Sequence, residues 1–126
     1  MPSRCKFVVE VEPKGALGCE VFFDANTIES FRRSDGKKNV LVWQLYTING
    51  RLSQYYFTAD GIDIKPRPGA SDFDQKGNED SDVRRFKWRS VNLVKGDFRF
   101  DINVVRKVGS TVTPCAPYDP IIVNKD

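Results

Sequence analysis

The sequence predicts an all-β fold, a single antiparallel β-sandwich of about seven to eight strands over residues 1–126. Three observations lead there. Short segments of alternating apolar and polar residues recur along the chain, the period-two pattern of half-buried strands. Turn-forming Gly, Pro, Asn and Asp separate them. The length, 126 residues with 40% hydrophobic and 29% charged, is one domain's worth and enough for one core.

The first strand has Cys5, Phe7, Val9 and Val11 on one face, with Lys6 and Glu10 on the other. "EPKGALG" interrupts it, and Cys19, Val21 and Phe23 resume the alternation. Asn26 to Arg33 reads two ways: Asn26 followed by Glu29 resembles a helix-capping pair, and the same stretch fits a short strand. "SDGKK" is a turn. "NVLVWQLYT" is nearly continuous in apolar character, as in a central strand covered on both faces. Asn49-Gly50 is the favoured pair of a tight type I′ turn, so a hairpin returning along "RLSQYYFTA" is expected. Asp60-Gly61 marks a further turn before "IDIK". Residues 66–83 read as a long polar loop, beyond the usual length of a connection without structure of its own.

Charge is uneven along the chain. Residues 66–83 carry Asp72, Asp74, Glu79, Asp80 and Asp82 against Arg67 and Lys76, a net −3. Residues 84–107 carry eight Lys and Arg against Asp97 and Asp101, a net +6. An acidic segment beside a basic one is expected to fold back and neutralise it. Within the basic stretch, "RRFKWRS" puts Phe86 and Trp88 on one face of a strand and Arg85, Lys87 and Arg89 on the other. A nucleic-acid stacking platform needs aromatics and cations on one surface; the pleat separates them. The strand "GDFRFDINVVRK" repeats this pattern with Phe98, Phe100, Ile102 and Val104 inward. Its acids are expected opposite the cations of "RRFKWRS".

Histidine is absent, which removes the Ser-His-Asp triad, the Cys-His pair and imidazole metal ligands. The remaining residues show no catalytic constellation, no metal site and no cofactor motif, so the reading is non-enzymatic. "DFDQKGNEDSD" lacks the spacing of an EF-hand, and the glycines never form a phosphate-cradling run. The three cysteines, Cys5, Cys19 and Cys115, include no CxxC pair and are expected as reduced, apolar fillers. No run approaches a membrane span, and the start has no apolar signal region. A cytoplasmic location without membrane contact is the expectation.

Residues 39–126 carry a resemblance. "VLVWQL", "DGIDI", "FKWRS", "GDFRFDINVV" and "DPIIVN" follow the order of signatures in small bacterial cupredoxin-like β-sandwich proteins. The resemblance implies a cupredoxin-like or immunoglobulin-like sandwich. Copper-binding members use two histidines, a cysteine and usually a methionine. The corresponding segment, "VGSTVTPCAPYDP", offers Cys115 alone. The resemblance therefore implies a copperless relative. The terminal "DP-x-I-x-N" is also similar to small bacterial inclusion-body and stress-associated proteins.

The functional expectation is a non-catalytic binding or assembly module for a protein partner or for self-association through an edge strand. Two alternatives stand beside it. One is nucleic-acid binding through Arg84, Arg85, Lys87, Arg89 and Lys95 in the basic stretch 84–95. The other is carbohydrate or small-ligand binding by Tyr46, Tyr55 and Tyr56 on the expected hairpin 46–56.

Overall fold

The computed structural model describes residues 4–23, 27–31, 39–65, 73–90, 96–116 and 121–125. Ten strands run through them: β1 (Arg4–Lys14), β2 (Gly18–Phe22), β3 (Thr27–Phe31), β4 (Asn39–Tyr46), β5 (Tyr55–Lys65), β6 (Phe73–Asn78), β7 (Arg85–Ser90), β8 (Gly96–Val108), β9 (Thr111–Pro114) and β10 (Ile121–Lys125). Short 3-10 turns occupy Leu52–Gln54 and Glu79–Ser81. The all-β expectation is met, with more strands than the seven or eight expected. Among the described residues no helix is long and apolar enough to cross a membrane.

Sheet A has the order β2-β1-β4-β7-β6; sheet B has β3-β10-β8-β5, with β9 also on β8. Most pairs are antiparallel, but β1 runs parallel to β4 and β3 parallel to β10. Alternation decides which side chains turn inward. Val9 and Val11, Leu41, Trp43 and Leu45, and Phe86 from sheet A meet Tyr55, Phe57, Ile62, Phe100, Ile102 and Val104 from sheet B in one core. Ring contacts cross it, Trp43 to Phe100 at 5.6 Å and Phe57 to Phe86 at 5.7 Å. Each such side chain stabilises the fold by about 1.5–3 kcal/mol on burial, and the pairing geometry adds to that.

Several expected connections are different. β4 is the central strand of sheet A, as expected, but its partners are β1 and β7. The Asn49-Gly50 hairpin does not form. Residues 47–54 instead carry the chain from sheet A to sheet B, because the apolar faces of β4 and β5 complete opposite layers of the core. Gly50 serves close approach here. A Cβ at this position would lie 2.9 Å from Thr47 Oγ1, 3.1 Å from the Tyr55 hydroxyl oxygen and 3.2 Å from Pro13. Asp60-Gly61 likewise makes no turn. β5 continues through it with a bulge, since Phe57 pairs with Val104 and Ile62 with Ile102. A Cβ on Gly61 would lie 2.6 Å from Phe57 Cβ and 2.8 Å from the Phe86 ring.

The ambiguous stretch Asn26 to Arg33 holds strand β3. The loop expected over residues 66–83 contains β6, anchored by the buried Phe73 and paired with β7. That pairing does fold the acidic segment against the basic one, with Asp74 in register with Arg89. The acids of β8 do not face β7, because the two strands belong to different sheets; Asp101 is in register with Asp63 of β5.

The expectation of reduced thiols is also corrected. Cys19 and Cys115 form a disulfide, with Cα atoms 4.7 Å apart and a sequence separation of 96. Both are buried. They meet because β2 ends sheet A where the chain leaves β9, a proximity that no local pattern encodes.

Candidate functional site

β7 sorts its side chains as alternation requires. Phe86 is wholly buried. Trp88 packs against the core, and its indole N–H donates to the Ile62 carbonyl at 2.6 Å. Neither ring is a stacking platform. Arg84, in the turn before β7, donates to the carbonyls of Leu52 and Ser53, each at 3.0 Å. Arg85 forms a 3.0 Å ion pair with Glu79, whose side chain is only 5% exposed. Lys87 and Arg89 complete the outer side of the strand, both half-buried. Lys95 lies outside the described residues.

The tyrosines expected on a hairpin are separated. Tyr55 is wholly buried in the core. Burial raises the pKa of its phenol, the Arg106 charge pulls it down and Glu12 raises it, for a net upward shift. The Arg106 guanidinium lies 5.9 Å from its ring centroid. Tyr46, at the end of β4, donates its hydroxyl to Glu10 Oε1 at 3.0 Å. Tyr56 is half-buried, in register with Val105 on the opposite side of its strand. These rings form no common exposed surface.

One end of the molecule is pinned by two charged side chains. Arg106 donates to the Gly18 carbonyl at 2.8 Å, the Gly15 carbonyl at 3.2 Å and Gln54 Oε1 at 3.0 Å. Glu12 accepts from the N–H groups of Ile48 and Asn49, each at 2.8 Å, and from the Thr47 hydroxyl at 3.2 Å. Burial alone would raise the Glu12 carboxyl. These donors, together with Glu10, hold it below its ordinary value. All of these contacts are consumed in holding loops to sheets.

The outer face of sheet A remains. Parallel pairing of β1 with β4 brings residues far apart in sequence into rows across it. Lys6, Val42 and Lys87 share one row, and Arg89 stands beside Val40 in the next. Val8, Gln44 and Arg85 form a middle row. Phe22, Glu10 and Tyr46 follow, then Glu20 beside Glu12. The face carries Lys6, Lys87 and Arg89 at one end; at the other, Glu20 is paired with Lys14 at 2.7 Å, Glu10 accepts from Tyr46, and Glu12 is held by the 47–49 segment. Val8 in the middle row is 49% exposed, and Phe22, on the edge strand β2 in the row of Glu10, is 45% exposed. Val42 is fully buried although it lies outside the core cluster.

Of the basic residues expected to bind, Arg85, Lys87 and Arg89 stand on this face, whereas Arg84 serves a turn. Sequence reasoning missed Val8, Glu20 and Phe22 as members of the surface, and it could not join Lys6 to Lys87. The alternation of "KFVVEVE" marks Lys6, Val8 and Glu10 as outward, but only the parallel pairing sets them beside β4.

Among the described residues no group of three His, Cys, Asp or Glu is placed to hold a metal ion. No protein-family model matches the chain, and a search among curated proteins finds no relative.

Proposed function

We propose that the protein is a non-catalytic binding or assembly module that engages a protein partner through the outer face of sheet A. One observation carries the reading: this face exposes the apolar Val8 and Phe22 beside the cations Lys6, Lys87 and Arg89, a mixed apolar and charged composition that suits a protein contact. The fold that presents it is read as a β-sandwich of cupredoxin-like or immunoglobulin-like type, without copper ligands.

Two features weigh against the alternatives. The basic strand spends Arg84 and Arg85 on intramolecular contacts, which leaves little of a phosphate-binding stripe. Of the tyrosines expected to hold a carbohydrate, Tyr55 is buried, Tyr46 is bonded to Glu10, and Tyr56 stands half-buried apart from both. The Cys19–Cys115 bond supports an oxidising compartment and removes the free-thiol argument for a cytoplasmic one.

Parallel affinity capture from the native source, with the wild type and the double variant Lys6→Glu/Lys87→Glu, tests this reading. The expected result is a partner, a second copy included, that the wild type retains and the variant loses. Equal retention by both proteins contradicts it.

A further inference from the structure

Three chain connections gather at one end of the molecule, and we propose that this end docks on an anionic lipid surface. The site is separate from the face of sheet A, and it stands or falls independently of the protein contact proposed there.

The connections are those from β1 to β2, from β4 to β5 and from β8 to β9. β1 and β4 run parallel, so both finish at the same end. The start of β5 pairs with the end of β8, Tyr55 with Arg106. Arg106 ties the three together: it is in register with Thr113 of β9, and it donates to the Gly15 and Gly18 carbonyls and to Gln54 Oε1.

Their composition sets them apart. "KGAL" over 14–17, "TINGRLSQ" over 47–54 and "KVGSTV" over 107–112 hold no Asp or Glu, although the chain has 17. They hold three cations, Lys14, Arg51 and Lys107. Lys14 is paired with Glu20. Arg51 and Lys107 are exposed, and among the described residues neither has an ion pair. Each connection also exposes one large aliphatic side chain: Leu17, Ile48 at 70%, and Val112, which lies in register with Lys107.

These aliphatic groups are exposed on backbone that is held in place. The Glu12 carboxylate accepts from the Ile48 and Asn49 N–H groups, which leaves the Ile48 side chain outside. Arg106 binds the carbonyls on either side of Leu17. A Cβ built at Gly15 or Gly109 would meet nothing within 4 Å, so the first and third connections stand clear of the molecule.

A protein contact favours a contiguous apolar core inside a polar rim. Here the aliphatic groups stand on three separate connections, and a fluid headgroup layer moulds itself around such projections to a depth of about 5–10 Å. Cations without acids at the same level match an anionic leaflet. The expectation of no membrane contact rests on the lack of a spanning run, which an interfacial contact does not require. Binding of this kind is reversible, because few side chains enter, and salt weakens it.

Co-sedimentation of the purified full chain with vesicles tests the proposal, at up to about 5 mM lipid. The wild type should bind phosphatidylcholine vesicles containing about 40% phosphatidylglycerol. It should bind pure phosphatidylcholine at least about tenfold more weakly. Leu17→Ser/Ile48→Ser and Arg51→Glu/Lys107→Glu should each weaken binding to the anionic vesicles at least about tenfold. Far-UV circular dichroism checks that both are folded. Ile48→Trp keeps the test open if either is not: it should bind more tightly, with a blue shift in tryptophan emission on the vesicles. Lys6→Glu/Lys87→Glu, altered at the other end of sheet A, should still bind.

A wild type that leaves the anionic vesicles unbound at about 5 mM lipid overturns the proposal. So does binding that Leu17→Ser/Ile48→Ser leaves unchanged, which would reduce it to charge attraction alone, and so does loss in Lys6→Glu/Lys87→Glu. If Leu17→Ser/Ile48→Ser loses a captured protein while the wild type ignores vesicles, this end is a protein contact and the lipid proposal falls.

Discussion

Where β2 meets the segment after β9, the two sheets are joined covalently; where β5 meets β6 and β7, they are joined by non-covalent contacts, polar ones at the margin of the Phe57–Phe86 packing. The first seam holds the Cys19–Cys115 disulfide, the Ala116 N–H donating to the Cys19 carbonyl at 3.2 Å, and a bridge between Glu20 and Ala116. At the second seam the Trp88 indole N–H donates to the Ile62 carbonyl, and the Phe57 N–H donates to the Val83 carbonyl at 2.8 Å. Lys76 pairs with Asp60 at 2.6 Å and lies 5.9 Å from the Trp88 ring centroid.

The two seams stabilise the fold by different routes. The disulfide acts chiefly by restricting the unfolded chain, and it does so strongly because its loop is long. The polar seam gains little per contact, since each bond replaces one to water. It satisfies backbone groups along β5 that an open sheet edge would present for pairing with another chain. The Glu20–Ala116 bridge on β2, and the bonds of Ile62 and Phe57 on β5 to Trp88 and Val83, close part of each edge to strand addition.

Four perturbations rank the seams. Reducing the disulfide, or replacing Cys19 and Cys115 with Ser, should lower stability by about 3–5 kcal/mol, a drop of roughly 10 °C or more in melting temperature. Gly61→Ala should cost about 1–3 kcal/mol by forcing a Cβ between Phe57 and Phe86 beside the polar seam. If denaturant melts show no loss, the bulge does not pack as described. Trp88→Phe retains most of the ring but leaves the buried Ile62 carbonyl without its donor, so about 1–2 kcal/mol should be lost. Lys76→Ala should change stability by less than about 1 kcal/mol, because both partners of its ion pair are exposed, at 41% and 63%. Equal effects from the disulfide and Lys76 would erase the contrast between the seams.

Alternation made the faces legible. Trp43, Phe86, Phe100 and Ile102 point inward as the period-two pattern requires, and Lys87 and Arg89 point outward. Partner choice was not legible, because it depends on contacts distant in sequence. Asn49-Gly50 and Asp60-Gly61 have the composition of tight turns, yet each glycine is there to admit a neighbouring side chain, Tyr55 in one case and Phe57 in the other. β6 escaped notice because "FDQKGN" alternates poorly; its single anchor, Phe73, and its place beside β7 make it a strand. Of the candidate site, the basic side of β7 was visible in "RRFKWRS". Its continuation across Val42 to Lys6 arises only from the parallel pairing of β1 with β4, and Glu20 joins the face through the β1–β2 pairing.

The covalent seam is the feature that most separates this structure from the expectation of free thiols, and it can be read directly. Protein isolated under non-reducing conditions is unfolded, alkylated without reductant and mapped by peptide mass spectrometry. The structure predicts alkylation at Cys5 alone, with the peptides of Cys19 and Cys115 joined until reductant separates them. Alkylation of all three cysteines, or a cross-link that includes Cys5, would contradict it.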